Sequence, residues 1–158
     1  KRYGELTKIG RNAGTPPTVF TNVSWQGLWH ASGGKSFMAV MLADAGADYV
    51  WKDNPSERSI PMDFEAVLAG AQDAEIWINT GIWASKADAI NSDERYTLFK
   101  AYRTGQMFNH VARVNEHGGN DYWESGVANP HLVLADLIHI FHPDLLPDHT
   151  LHYYRKLQ

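Results

Sequence analysis

Cysteine is absent from the 158-residue chain, which excludes disulfide staples and thiolate metal centres. Positive charge is sparse: 14 lysines and arginines stand against 18 aspartates and glutamates, a net charge of −4 with histidine neutral. The basic residues are scattered, so the clustered cationic surface that nucleic-acid binding requires is missing. No apolar run approaches the ~18 residues of a membrane-spanning helix. Also missing are the dinucleotide fingerprint G-x-G-x-x-G, the full phosphate-loop pattern G-x-x-x-x-G-K-[S/T] and the G-x-S-x-G nucleophile elbow. There is no internal repeat and no low-complexity segment.

What the chain does have is ordinary bulk and many aromatics. Hydrophobic residues make up 44% and charged residues 20%, the balance of a globular domain. The length suits one domain with a core large enough to need no staples. Six tryptophans and seven tyrosines are many for this size.

Periodicity and turn residues predict alternating elements. Lys1–Ile9 reads as the end of a helix, and the Gly-, Asn- and Pro-rich residues 10–17 as a linker. The β-branched TVFTNV at 18–23 is a strand. Residues 36–45 place Phe37, Met38, Val40, Met41 and Leu42 at helical spacing, with Gly46 ending the helix. Residues 48–51 form a short strand and 53–61 a loop. MDFEAVLAGAQDA at 62–74 is a helix with Asp63 as N-cap and Ala66, Val67 and 69–71 on or near its buried side. Residues 75–81 are a strand, and 93–105 a helix with Tyr96, Leu98, Phe99 and Tyr102 as its apolar face. Residues 107–114 are a strand, 115–126 a polar loop, and HLVLADLIHIF a helix stopped at Pro143. The alternation predicts a three-layer αβα sandwich built on a mainly parallel sheet of about four strands.

In open parallel sheets, ligands sit beyond the carboxyl ends of the strands. Three loops leave such ends: 24–34, 80–85 and 115–126. They carry Trp25, Trp29, Trp83 and Trp123, together with Gln26, His30, Asn120, Asp121, Tyr122 and Glu124. Trp51 and Trp77 fall inside strands and read as core. Stiff aromatic rings on loops along one sheet edge suit recognition; the competing reading is that each ring folds back and buries itself. The Gly33-Gly34 pair fits a tight strand-to-helix turn, and it also fits backbone N–H groups facing an anion.

The eight histidines offer little chemistry. His139 and His142 share a helix face and His149 and His152 follow, but no carboxylate stands at zincin spacing. His142 is expected at a solvated helix end, where its charge suits the dipole. His30 and His117 lie in the candidate loops and are better placed for ligand contact. Asp121 and Glu124 are explained by solvation or capping. No nucleophile with a base and no close carboxylate pair assembles, so no catalytic set, metal site or cofactor is expected.

Three stretches carry a family resemblance. SWQGLWHASGGKSFMAVMLADAGADYVW (24–51) resembles the start of the carboxy-terminal lobe of cluster A (class III) periplasmic substrate-binding proteins, the receptors of ABC transporters for iron–siderophore, haem and vitamin B12. SIPMDFEAVLAGAQDAEIWINTG looks like the next unit of that family. NEHGGNDYWESGVANPHLVLADLIHIFHPDLLP resembles its final stretch, and the NDYWESG version is similar to a Bacteroidetes-type subgroup.

The resemblance implies one of two α/β lobes. Residues 1–17 would be the end of the connecting helix and linker, and 18–158 the C-terminal lobe; the signal peptide and N-terminal lobe would belong to a longer protein. It implies the solute-binding component of an ABC importer, periplasmic or lipid-anchored, with no catalysis. Such a protein captures an iron–siderophore, haem or cobalamin-like metal chelate between its lobes. It then delivers the chelate to the membrane permease, docking through one acidic residue per lobe. Carried over to this sequence, the ligand-binding residues are Trp25, Gln26, Trp29 and His30 from the first loop, Trp83 from the second, and Arg113, Asn115, Asp121, Tyr122 and Trp123 from the third. Arg113 would hold an anionic chelate, although it could equally pair with a structural carboxylate. A second reading is a chelatase-like α/β enzyme using His30, His117 or Glu124 on a metal or tetrapyrrole. A third is a scaffold domain whose aromatic edge binds another protein.

Overall fold

In the computed structural model, which describes residues 1–158, the elements run α1 (Arg2–Arg11), β1 (Thr18–Thr21), β2 (Ser24–Trp25), β3 (Leu28–Ser32), α2 (Phe37–Asp44), β4 (Asp48–Tyr49), β5 (Ser59–Met62) and α3 (Phe64–Ala71). They continue with β6 (Ile76–Ile78), α4 (Lys86–Ser92), α5 (Lys100–Thr104), β7 (Met107–Asn109), α6 (Ser125–Ala128), α7 (Pro130–Phe141) and β8 (Arg155–Lys156). Five strands form the main sheet in the order β4-β1-β6-β7-β8. All neighbours are parallel except β7 with β8. The expected mainly parallel sheet flanked by helices is present, one strand wider than predicted. A second, antiparallel sheet, β2-β3-β5, stands beside it.

Side chains alternate across the main sheet because successive residues of a strand point to opposite faces. Val19, Ile76 and Ile78 join one core with Leu6, Met41, Leu42 and the buried stripe of α7. Phe20, Trp77 and Met107 join the other, with Phe64, Val67, Ala71 and Phe99. The result is helix on both faces, as parallel crossovers require.

Local chemistry accounts for most boundaries. Ser36 and Asp63 cap α2 and α3 by accepting from Ala39 N and Ala66 N, and Gly46 takes the left-handed φ of +83° that ends α2. Gly33 and Gly34 are explained by crowding. A Cβ on Gly33 would lie 2.3 Å from Ser56 O, and one on Gly34 would lie 2.3 Å from Asn54 O. The pair is a tight passage against the 54–58 backbone rather than an open anion site.

Several elements depart from expectation: the 24–34 loop forms the β2-β3 hairpin and the strand over 107–114 ends at Asn109. β5 falls largely in the 53–61 stretch expected as loop, whose residues are mostly polar and include Pro61; it is an edge strand, where proline's missing N–H is tolerated. α4 was not expected, yet Ser85 and Asp88 form a reciprocal capping box at its start. The expected helix over 93–105 is split, because Phe99 is extended (ψ 132°) between a 3-10 turn and α5 and its ring is fully buried. Trp51 lies in the turn after β4, half-buried, rather than inside a strand.

β8 has no apolar pattern and is held by Asp136. That carboxylate is fully buried in α7. It accepts from the backbone N–H of His152 (2.9 Å), Tyr153 (2.7 Å) and Tyr154 (3.0 Å) and from the His149 ring at 2.7 Å. A buried carboxylate is stable only when its lone pairs are filled in this way. Asp136→Asn replaces one acceptor oxygen with a donor facing backbone donors. We expect it to lower unfolding free energy by about 3 kcal/mol in urea denaturation; a change under ~1 kcal/mol would show the anchor to be dispensable.

Candidate functional site

The carboxyl ends of β1, β6 and β7 open onto one edge of the main sheet. β1 and β6 are each followed by an asparagine with left-handed backbone, Asn22 (φ 76°) and Asn79 (φ 59°), a conformation asparagine tolerates better than most residues. Buried neighbours fix both. The Trp29 and Trp77 indoles donate to Thr21 O (2.9 Å) and Asn22 O (2.8 Å). The Asn22 side chain donates to His30 O at 2.8 Å, and the Tyr154 hydroxyl donates to Asn79 Oδ1 at 2.7 Å.

Above this edge lies a cleft of about 1040 Å³. The β2-β3 hairpin contributes Trp25, His30 and Ser32, and α2 contributes Phe37, Met38 and Met41. The opposite wall is His110, Tyr122 and Trp123, continued by Val127, Pro130 and Val133 of α6 and α7. Ile82, on the loop after β6, is 93% exposed at the rim. Trp25 and Trp123 are 66% and 64% exposed, so their rings are free to meet a ligand. A smaller hollow of about 580 Å³ adjoins the cleft and shares Ile82, His110 and Trp123 with it.

The His110 wall is a stacked assembly. The imidazole lies parallel to Tyr122, 4.2 Å between centroids and 10° between planes, with the Trp123 ring edge-on at 5.2 Å. Tyr122 in turn meets Tyr153 and Tyr154 edge-on. Asn120 holds the turn by donating to His110 O (2.7 Å), and the His110 backbone N–H donates to Asn109 Oδ1 (3.0 Å). The imidazole Nδ1 is enclosed without a partner. Burial holds the His110 pKa down at about 4, so the ring is neutral at physiological pH. Burial also pushes the Tyr122 and Tyr154 phenols above the usual tyrosine range.

The predicted residues divide. Trp25, His30, Tyr122 and Trp123 line the cleft. Trp29 and Trp83 do not. Trp29 is fully buried and Trp83 nearly so, packed with Phe20, Trp77, Tyr96 and Phe99; Trp83 meets Trp77 edge-on at 5.5 Å and Tyr96 at 5.0 Å. Half the predicted aromatic rim is therefore core, because the hairpin folds Trp29 inward and the 80–83 loop is tied down by Asn109 donating to Gly81 O and Trp83 O. Gln26 sits with Gly27 at the exposed hairpin tip, both at positive φ, as a two-residue turn requires. Asn115 accepts from His117 N and Gly119 N within its own turn. Arg113 is paired with Asp121 at 2.8 Å, and Asp121 also accepts from Ser125 Oγ. The Arg113 guanidinium, then Ser125, holds the Asp121 carboxyl below the usual range. None of Gln26, Arg113, Asn115 or Asp121 lines the cleft.

His117 and Glu124 also lie outside the cleft, so the residues named for an enzymatic reading do not converge. The C-terminal histidines hold structure: His139 Nδ1 lies 2.9 Å from Leu146 O, and His142 Nε2 lies 2.8 Å from Gly46 O rather than at a free helix end. No group of three or more His, Asp or Glu side chains is arranged to hold a metal ion.

Sequence reasoning missed His110, Phe37, Met38 and Met41. His110 was placed inside a strand, but β7 stops at Asn109 and His110 is the first residue past its carboxyl end. The signal in α2 was surplus: five apolar residues in six positions exceed one buried stripe, and Phe37 is left 71% exposed at the cleft.

The fold matches solved solute-binding proteins. The TroA-like periplasmic binding protein FepB from Veillonella parvula superposes with a TM-score of 0.67 at 15% identity over 99% of this chain and 53% of that one. The periplasmic heme-binding protein RhuT from Roseiflexus sp. RS-1 gives 0.65 at 17% identity, over 91% and 52%. An uncharacterized lipoprotein of Methanocaldococcus jannaschii is 27% identical over 109 residues, 69% of this chain and 24% of the relative. No protein-family model matches. The chain thus has the fold of about half of a periplasmic solute-binding protein, and it spans about a quarter of the curated relative it matches.

The buried neutral His110 has a consequence for pH. Its folded pKa lies below the ordinary 6.5, so the unfolded chain takes up the proton first. The stability due to this group is complete above pH 6.5 and is lost as pH falls toward 4. Between pH 7.5 and 5, the wild type should lose about 2 kcal/mol more unfolding free energy than His110→Phe. Equal losses in urea titrations of the two proteins would contradict a buried, neutral imidazole.

Proposed function

We propose that this chain is one lobe of the solute-binding component of an ABC importer of the cluster A type. In this reading residues 18–158 form the C-terminal lobe, and α1 with the segment up to residue 17 ends the connecting helix. The protein works in the periplasm or tethered to the membrane by lipid. It takes up a bulky metal chelate, of the iron–siderophore, haem or cobalamin kind, and passes it to a permease. The observation that carries the reading is the cleft itself: a large concave surface at the carboxyl ends of parallel strands, walled by exposed Trp25 and Trp123 and by the His110–Tyr122 stack. Ligand sites of open α/β sheets lie at this edge, and apolar walls with a few polar groups bind bulky ligands without chemistry. The solved structures that share the fold support it by what they are named for: a TroA-like FepB and a heme-binding RhuT.

Tryptophan fluorescence of the full-length gene product, titrated with ferric siderophores, haem and cobalamin, tests the reading. Saturable quenching by one of them is expected. Trp123→Ala and Trp25→Ala should each weaken that binding about tenfold, the loss typical of an aromatic anchor, while thermal midpoints stay within a few degrees because both rings are exposed. Absence of saturable binding across the panel, or unchanged affinity in both variants, would refute it.

A further inference from the structure

The charge of the cleft wall narrows the ligand further. Among the residues lining it there is no lysine and no arginine, and Glu57 is the only carboxylate. The remaining polar side chains are two asparagines, two serines, the Tyr122 hydroxyl and the His30 and His110 imidazoles, and burial keeps His110 neutral. The Asn22 amide is already committed to His30 O, and Asn79 Oδ1 to the Tyr154 hydroxyl. Lys35 precedes the lining residue Ser36 and Arg58 follows Glu57 in sequence, but neither lines the cleft, and the two arginines of the opposite side do not compensate. Arg113 is neutralised by Asp121 at 2.8 Å, and Arg155 lines the smaller adjoining hollow. An anionic ligand pressed against this wall would lose hydration and find no cation to replace it, whereas sites built for anions supply arginine or lysine in hydrogen-bonding position.

We infer that this lobe's wall of the cleft disfavours anionic chelates and suits a bulky, uncharged metal chelate with an apolar periphery, of the ferric tris-hydroxamate type. The inference rests on the receptor reading above and adds the charge of the ligand to it. A neutral chelate has its metal charge cancelled by its own ligands, so it needs no protein cation. Its methylene-rich outer surface can lie on Trp25, Phe37 and Trp123, and its few carbonyl oxygens can accept from the Ser32 and Ser36 hydroxyls and the Asn79 amide.

The test pairs two chelates of the same metal and coordination number that differ in charge. The full-length gene product is titrated calorimetrically with a ferric tris-hydroxamate, net charge zero, and a ferric tris-catecholate, net charge −3. The wild type is expected to bind the neutral chelate at least tenfold more tightly. Val127→Arg adds a cation at the cleft mouth, at a site 72% exposed where folding is not at stake; it should tighten catecholate binding and narrow the gap at least threefold. Catecholate binding as tight as hydroxamate binding in the wild type would overturn the charge selection and leave the receptor reading standing. No saturable binding of either of these, of haem or of cobalamin would overturn both.

Discussion

The Asp136 carboxylate lies at the centre of a load path that ends at the cleft. It is fully enclosed, and it accepts from three consecutive backbone N–H groups, His152 to Tyr154, and from the His149 ring. Pinning that stretch to α7 sets the positions of Tyr153 and Tyr154. Tyr153 meets Ser125 Oγ at 2.7 Å, and Ser125 in turn meets Asp121, the partner of Arg113. Tyr154 reaches across to Asn79 at the end of β6. Tyr122 packs edge-on against both rings and presents its face to His110. One buried charge thus fixes the wall of a cleft that it does not itself touch. Breaking a paired buried charge costs far more than removing both partners together, so such an anchor resists gradual loss.

The aromatic residues fall into two groups with different tasks. Trp29, Trp77 and Trp83 form a dry cluster with Phe20, Tyr96 and Phe99 under the sheet. Two of their indole N–H groups close the carbonyls at the end of β1, which satisfies buried polar groups and shapes the strand end at once. Trp25 and Trp123 instead remain open on the cleft. Indoles buried beneath the sheet edge support it from within, and exposed indoles make the contact surface. A preformed wall of this kind binds with little ordering cost.

Much of the fold was legible because its signals are local. The β-branched run at 18–23, the Ser36 and Asp63 caps and the stop at Pro143 report on their own neighbourhoods. What was illegible depends on distant partners. β5 offers only Ile60 and Met62 in alternation, around Pro61, and β8 has no apolar residue; one exists because β3 offers an edge and the other because Asp136 holds its approach. The helix over 93–105 breaks because the Phe99 ring is claimed by a core in which it meets Phe20, Trp29, Phe64, Trp77 and Tyr96. The site was legible as an edge of the sheet but not as a set of side chains. Loop position located Trp25, His30, Tyr122 and Trp123. Loop position also swept in Trp29 and Trp83, because sequence does not show which way a hairpin residue faces. Arg113 and Asp121 were drawn in as separate ligand contacts, whereas they satisfy each other.

The cleft as the seat of a bulky ligand is the claim on which the functional account stands. The most direct measurement is an experimental structure of the full-length protein with a metal chelate bound. The account predicts the chelate seated beyond the carboxyl ends of β1, β6 and β7, in van der Waals contact with Trp25, Trp123 and the His110–Tyr122 stack. A chelate bound elsewhere, with those rings still open to solvent, would contradict it.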